Sequence, residues 1–201
     1  MANDMSRRRA VALLSTAALT AAVASPASAL NAAQANALVE RVVADINAVI
    51  NSGRSESAMY RDFEAIFQRY ADVPTISRSA LGPDARSASP AQLNAFADAF
   101  TGYLARKYGK RFRELIGGEI VVEQSREVKT FFEVRASAIL RGQAPFDVTF
   151  LVSDRSGRDL FFDLLIEGIS LLKTERTEIG AMLDRRRGSI DQLIADLRSA
   201  G

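Results

Sequence analysis

Three carboxylates, Asp147, Asp163 and Glu167, fall on or at the ends of predicted strands, and they are the residues best placed to do chemistry. A carboxylate held in a cupped apolar sheet can act as a general base. Strand alternation, however, puts Asp147 and Asp163 on the face opposite the apolar side chains next to them. This orientation favours a role for these carboxylates as solvent-facing strand residues or as hydrogen-bond caps at turns, rather than as catalytic groups.

The residue types missing from the chain exclude several classes of enzyme. It contains 0 His and 0 Cys, which removes the commonest general base, the thiol nucleophile, thiolate metal sites and any disulfide framework. Glycine-rich phosphate loops and metal-ligand spacings are also absent, so we predict no cofactor and no metal. Arg185-Arg186-Arg187 could bind an anionic headgroup, but cationic residues are also common at helix C-termini.

Residues 1–29 have the pattern of a cleaved signal peptide. Arg7-Arg8-Arg9 forms a basic segment, residues 10–24 form an apolar segment too short to span a bilayer, and Ala27-Ser28-Ala29 is an A-x-A cleavage site. The arginines fit either twin-arginine or general secretory export. The leader holds three arginines and one aspartate of the 26 basic and 24 acidic residues, so removing it leaves 23 of each sign. A neutral mature chain gives no reason to expect nucleic-acid binding.

The elements that must position any site change in type along the mature chain. Helical periodicity covers residues 31–51 and 57–70, a short turn from Pro74 to Gly82, and an aromatic helix that runs from the capping box Ser89-Pro90-Ala91-Gln92 to Leu115. Period-two alternation then predicts strands at 119–124, 129–140, 145–153 and 160–166, with Phe162, Leu164 and Ile166 on one face. Helices follow at 174–187 and 190–197. This order predicts an α+β fold with an antiparallel sheet of about four strands, covered on one face by helices.

From about Ser57 to its end, the chain resembles the MlaC family of periplasmic phospholipid-binding proteins, also called the toluene-tolerance auxiliary component family. The resemblance is carried by Ser89-Pro90-Ala91-Gln92 with the aromatic residues that follow it, by the segment 163–171 (DLLIEGISL), and by the ending 188–193 (GSIDQL). None of these segments is a catalytic motif, but their order and spacing are specific.

The resemblance implies that residues 30–201 form one lipid-binding domain, with helical parts 31–117 and 169–199 around a cupped, nuclear-transport-factor-like sheet at 119–167. It also implies that the protein is not an enzyme and that it carries a diacyl phospholipid through the periplasm. The implied partners are an outer-membrane lipoprotein–porin complex and an inner-membrane ABC transporter with a periplasmic MCE-type subunit. The side chains expected to hold the acyl chains are Phe96, Phe100, Tyr103, Leu104, Tyr108, Phe132, Val134, Phe146, Val148, Phe150, Phe162, Leu164 and Ile169.

Two other functions fit the residues without the resemblance. An exported enzyme could use a carboxylate base on the same sheet, and it would need a buried Asp or Glu that faces a cavity. A periplasmic interaction protein or chaperone would instead have a tightly filled interior. Composition alone does not separate a packed core from an apolar cavity.

Overall fold

The computed structural model describes residues 29–112 and 114–200. The predicted signal peptide lies outside this part of the chain, apart from Ala29. None of the helices in the described part combines the length and the hydropathy of a membrane span.

In the described part of the chain, four helices precede the sheet. They are α1 (Ala32–Ile50), α2 (Glu56–Tyr70), α3 (Val73–Leu81) and α4 (Pro90–Phe112), with a 3₁₀ turn at Gly82–Arg86 between α3 and α4. The predicted capping box forms at the start of α4, because the hydroxyl of Ser89 accepts the N–H of Gln92 and the Gln92 amide oxygen accepts the N–H of Ser89. The capping residues therefore fix where the longest helix begins.

Five antiparallel strands form one sheet in the order in which they occur along the chain. They are β1 (Glu119–Val128), β2 (Phe131–Ile139), β3 (Phe146–Ser153), β4 (Leu160–Ile166) and the two-residue β5 (Ile169–Ser170). Helices α5 (Leu171–Arg185) and α6 (Ile190–Ser199) complete the fold. The α+β prediction is confirmed, and the sheet has one short strand more than expected.

The last part of the sheet differs from the predicted alternation at one position. A β-bulge shifts the register between β3 and β4, so that Val152 pairs with Phe161 and Leu151 pairs with Asp163. An extra residue in one strand reverses which side chains face inward beyond it. Phe161 therefore lies on the inner face with Leu164, whereas the ring of Phe162 packs against Phe131 with centroids 5.6 Å apart. The alignment of Phe162 with Leu164 and Ile166 was wrong for this reason.

Helix α5 begins earlier than the sequence pattern indicates. Ser170 is its N-cap, with a hydroxyl that accepts the N–H of Lys173 at 3.1 Å. Asp163 reinforces this start, because its carboxylate accepts the N–H of Leu172 at 3.0 Å and the hydroxyl of Ser170. The helix therefore begins at Leu171, directly after β5, instead of at Thr174.

Side-chain hydrogen bonds join the outer edge of the sheet to α1. The Asn47 amide donates to the carbonyl of Ile120 at 3.0 Å, and its oxygen accepts the N–H of the same residue at 3.0 Å. Helix α1 packs against β1, β2 and β3, so it covers the inner face of the sheet at this edge.

Candidate functional site

A cavity of about 660 Å³ lies between the inner face of the sheet and helices α1, α2 and α4. This volume is within the range of small-molecule binding sites, roughly 300–1,000 Å³. Its lining is mostly aliphatic and aromatic. Besides residues at the opening, the lining consists of Val42, Ile46, Phe63, Ile66, Phe67, Thr101, Leu104, Ala105, Tyr108, Leu115, Ile120, Ala138, Leu140, Phe146, Val148, Phe150, Phe161, Leu164, Ile166, Leu171 and Thr174.

Strands β3 and β4 form most of the sheet wall of the cavity, and Ile120 of β1 and Ala138 of β2 extend it. Phe146, Val148 and Phe150 occupy alternate positions on β3, so their side chains share the inner face. Phe150 pairs with Leu164 in the register of the two strands. The bulge adds Phe161, whose ring meets that of Phe150 edge to face with centroids 5.7 Å apart. The wall is therefore continuous and apolar.

Helix α4 supplies the facing wall through residues spaced along one helical face. Thr101, Leu104, Ala105 and Tyr108 follow the i, i+3, i+4, i+7 spacing that places side chains on one side of a helix. The hydroxyl of Thr101 donates to the carbonyl of Ala97 at 2.8 Å. Its one proton is thus bonded within the helix, so it does not add an unpaired donor to the cavity wall.

The cavity opens at the end of the sheet where three connections meet. Glu114 after α4, Gln143 between β2 and β3, and Glu167 with Ile169 at the β4–β5 turn line the opening, and all four are exposed. Ile169 has 68% of its surface accessible, the largest value among the exposed large apolar residues of the described chain. Both carboxylates that line the cavity belong to this opening.

Behind the α4 wall lies a cluster of charged and phenolic groups. Glu175 in α5 is almost fully buried, accepts a hydrogen bond from the Tyr108 hydroxyl, and lies 2.8 Å from the Lys107 ammonium. Lys107 also bonds to Glu178, which accepts the Tyr103 hydroxyl at 2.9 Å. The cluster joins α4 to α5 at the back of the cavity wall.

The surroundings shift the pKa values of Tyr103, Lys107, Tyr108 and Glu178. Burial raises the pKa of Tyr103 and of Tyr108 above the ordinary phenol value, so both remain hydrogen-bond donors at neutral pH. Burial lowers the pKa of Lys107, but its hydrogen bonds to Glu175 and Glu178 outweigh that effect and raise the pKa overall. The hydrogen bond from Lys107 lowers the pKa of Glu178. Lys107 is therefore charged and paired.

Seven of the thirteen predicted acyl-chain residues line the cavity. The seven are Leu104, Tyr108, Phe146, Val148, Phe150, Leu164 and Ile169. Sequence reasoning did not assign the α1 and α2 residues to the site, such as Ile46 and Phe67, although their apolar helical faces were visible in the periodicity. Phe161 was missed because the bulge is not apparent in the run Leu160-Phe161-Phe162.

The other six predicted residues lie elsewhere in the structure. Phe96, Phe100 and Tyr103 form a stacked series along α4, with successive ring centroids 5.5 and 6.2 Å apart. Phe132 and Val134 are buried on β2 outside the cavity lining, and Phe162 packs against Phe131. These side chains contribute to the packing around the cavity.

The three candidate catalytic carboxylates are engaged in structural hydrogen bonds. Asp163 accepts the N–H groups of Leu164 and Leu172, and the Glu167 carboxylate accepts the N–H of Asp147. Asp147 itself pairs with Arg135 at 2.7 Å on the exposed face. In the arginine run, Arg186 pairs with Asp196 at 2.6 and 2.8 Å and so joins α5 to α6. No group of three or more metal-binding side chains occurs among residues 29–112 and 114–200.

Comparisons with known proteins identify the same architecture. The family model described as MlaC protein matches residues 36–199. A solved structure of a phospholipid-binding protein from Ralstonia solanacearum, in complex with a phospholipid, superposes with a TM-score of 0.71. That protein is 21% identical in sequence, and the match covers 82% of this chain and 95% of the other. At this identity the superposition establishes a shared fold.

Proposed function

This chain belongs to the MlaC family, and from that premise we propose that it is a phospholipid carrier that holds acyl chains in the apolar cavity. The observation that carries the proposal is the cavity itself, about 660 Å³ in volume and open at one end. Its two lining carboxylates, Glu114 and Glu167, both lie at the opening. A lipid would therefore place its tails against hydrocarbon and its headgroup at the polar rim.

The energetics of lipid transfer explain why a carrier needs such a cavity. Removing a diacyl lipid from a membrane exposes two chains of about sixteen carbons each, at roughly 0.8 kcal/mol per methylene. The cost is on the order of 20 kcal/mol if the chains enter water. A carrier that covers the tails avoids most of this cost, and transfer then needs only similar affinities in donor, carrier and acceptor.

We propose that the carrier works in the periplasm after removal of residues 1–29. Its proposed partners are an outer-membrane lipoprotein–porin complex and an inner-membrane ABC transporter with a periplasmic MCE-type subunit, between which it shuttles phospholipid. The resemblance to the MlaC family supports these partners. The basic, apolar and A-x-A regions of the first 29 residues support export.

The proposed role involves no bond making or breaking. The carboxylates that could act as a base are bonded to backbone N–H groups or to Arg135. Phospholipid incubated with the purified protein should be recovered unchanged. Hydrolysis that persists through purification and is lost in Asp163→Ala or Glu167→Ala would instead establish an exported enzyme.

Native mass spectrometry and lipid extraction of the mature protein, purified without detergent, test the proposal. We expect co-purifying phospholipid, and we expect delipidated protein to regain it from vesicles. Lipid should also raise the melting temperature, because a ligand that binds only the folded state stabilises it. Protein that carries no lipid and acquires none from vesicles would contradict the proposal and favour an interaction protein or chaperone.

A further inference from the structure

A second, much smaller void lies next to the main cavity. It has a volume of about 30 Å³ and is lined by residues of α2, α3, α4, β4 and α5. Five side chains line both spaces and therefore form a partition between them. The partition consists of Phe67, Leu104, Phe161, Leu164 and Leu171.

The far side of the small void combines four apolar residues with two carboxylates, the apolar ones being Ile76, Phe100, Phe162 and Leu172. Asp163 and Glu175 contribute to its lining, and Oε2 of the buried Glu175 has no hydrogen-bond partner among the described residues. Asp163 is already engaged by backbone N–H groups and by Ser170. Hydrocarbon pressed against an unpaired buried carboxylate oxygen prevents its hydration, which is costly. The void thus offers mostly apolar room next to the partition, and the unpaired oxygen of Glu175 limits how far hydrocarbon can extend into it.

We propose that Leu104 and Leu164 determine the length of acyl chain that the protein accommodates, because they close the main cavity toward this void. The inference rests on the proposed carrier function. When the end of an acyl chain contacts the partition, any additional methylenes remain in the open mouth of the cavity, where they are not buried. Removing one of these leucine side chains joins the two spaces and lets a longer chain become buried.

The expected change can be expressed as a binding ratio. Burying one more methylene contributes about 0.8 kcal/mol, which corresponds to about a fourfold increase in affinity. Two further methylenes would give about a fifteenfold increase. In the wild type, affinity should therefore stop increasing with chain length where the cavity is full. In Leu104→Ala the increase should continue for about two more carbons of the chain that reaches the partition.

The test measures affinity for a series of phosphatidylethanolamines with two identical saturated chains, lengthened by two carbons at a time. The proteins are delipidated wild type, Leu104→Ala, Leu164→Ala and the control Leu193→Ala. Leu193 is fully buried in α6 and lines neither space, so its replacement removes the same buried side chain without opening the partition. Leu164→Ala removes a partition side chain that belongs to the sheet. It replaces Leu104→Ala in the test if that variant folds poorly.

We expect the limiting chain length to move upward in both partition variants and to stay at the wild-type value in Leu193→Ala. If all four proteins bind lipid with the same dependence on chain length, the role of the partition is wrong while the carrier function stands. If wild type binds no member of the series, the carrier function itself is wrong. A shift that appears equally in Leu193→Ala would assign the effect to general loosening of the core and would overturn the inference.

Discussion

Tryptophan substitutions at two positions of the inner sheet face distinguish a cavity from a packed core within one protein. Leu164 on β4 lines the cavity, whereas Val134 on β2 is fully buried and lines neither void. The two residues flank β3 from opposite edges, because Phe150 of β3 pairs with both. Leu164→Trp and Val134→Trp therefore differ mainly in whether free space lies in front of the side chain.

The cost at Val134 follows from overpacking. Forcing extra atoms into a filled interior costs about 1–3 kcal/mol and sometimes more. The exposed fraction of Val134 is 0%, so we expect at least the upper part of that range. For a chain of this size each kcal/mol lowers the melting temperature by roughly 2–4 °C. Val134→Trp should therefore melt about 6–12 °C below wild type when both are delipidated.

At Leu164 we expect the tryptophan to weaken lipid binding and to leave the stability of the lipid-free protein nearly unchanged. Tryptophan adds about six non-hydrogen atoms, which extend into the space of about 660 Å³ and displace a similar number of methylenes. At about 0.8 kcal/mol each, losing four to six buried methylenes weakens binding by roughly 3–5 kcal/mol, or more than a hundredfold. The delipidated variant should melt close to delipidated wild type.

Two measurements on each protein check this prediction: the melting temperature after delipidation, and the amount of phospholipid that co-purifies. Leu164→Trp should lose lipid and keep its stability, while Val134→Trp should lose stability and keep lipid in the fraction that folds. If Leu164→Trp unfolds as readily as Val134→Trp, the space at Leu164 is filled by protein. The assignment of that cavity to lipid would then be refuted.

Three further outcomes are expected. Gly109→Ala should lower stability by about 1–3 kcal/mol, because an added Cβ would lie 2.4 Å from ring atoms of Tyr60 where α4 meets α2. Lys107→Met should cost about 3–5 kcal/mol, since it leaves the buried carboxylate of Glu175 without its cation. N-terminal sequencing of exported protein should give Leu30 as the first residue, because A-x-A cleavage falls after Ala29.

Each of these outcomes has a control. A Cβ at Gly180 in α5 meets no heavy atom within 4 Å, so Gly180→Ala should instead stabilise the protein by about 0.5–1 kcal/mol. Adding Glu175→Gln to Lys107→Met should recover part of the lost stability, and no recovery would mean that charge burial is not the cause. An intact Met1 on membrane-embedded protein would exclude cleavage.

The sequence is sufficient to predict the fold because each local pattern agrees with its neighbours. The capping box at Ser89 starts α4 where expected, and alternation on β3 places Phe146, Val148 and Phe150 on the inner face. The bulge before Asp163 could not be predicted, since three consecutive apolar residues fit either phase of a strand. Its position depends on the pairing with Val152 and Leu151, which is a tertiary property.

The division between cavity and core could not be predicted from periodicity either. Val134 and Phe150 both face inward from neighbouring strands, and they are paired in the sheet. Phe150 lines the cavity, whereas Val134 does not. That difference depends on how elements distant in sequence pack around each side chain, and apolar spacing specifies only that both residues are buried.

The contact between Asn47 and Ile120 affects whether another chain can add to the edge of this sheet. A free strand edge attracts another chain through its open N–H and C=O groups. At Ile120 both groups are already taken by one side-chain amide, which occupies the place that a sixth strand would need. Strand addition at this point of β1 would first have to displace Asn47. Asn47 therefore blocks strand addition at Ile120, whether or not the cavity is filled.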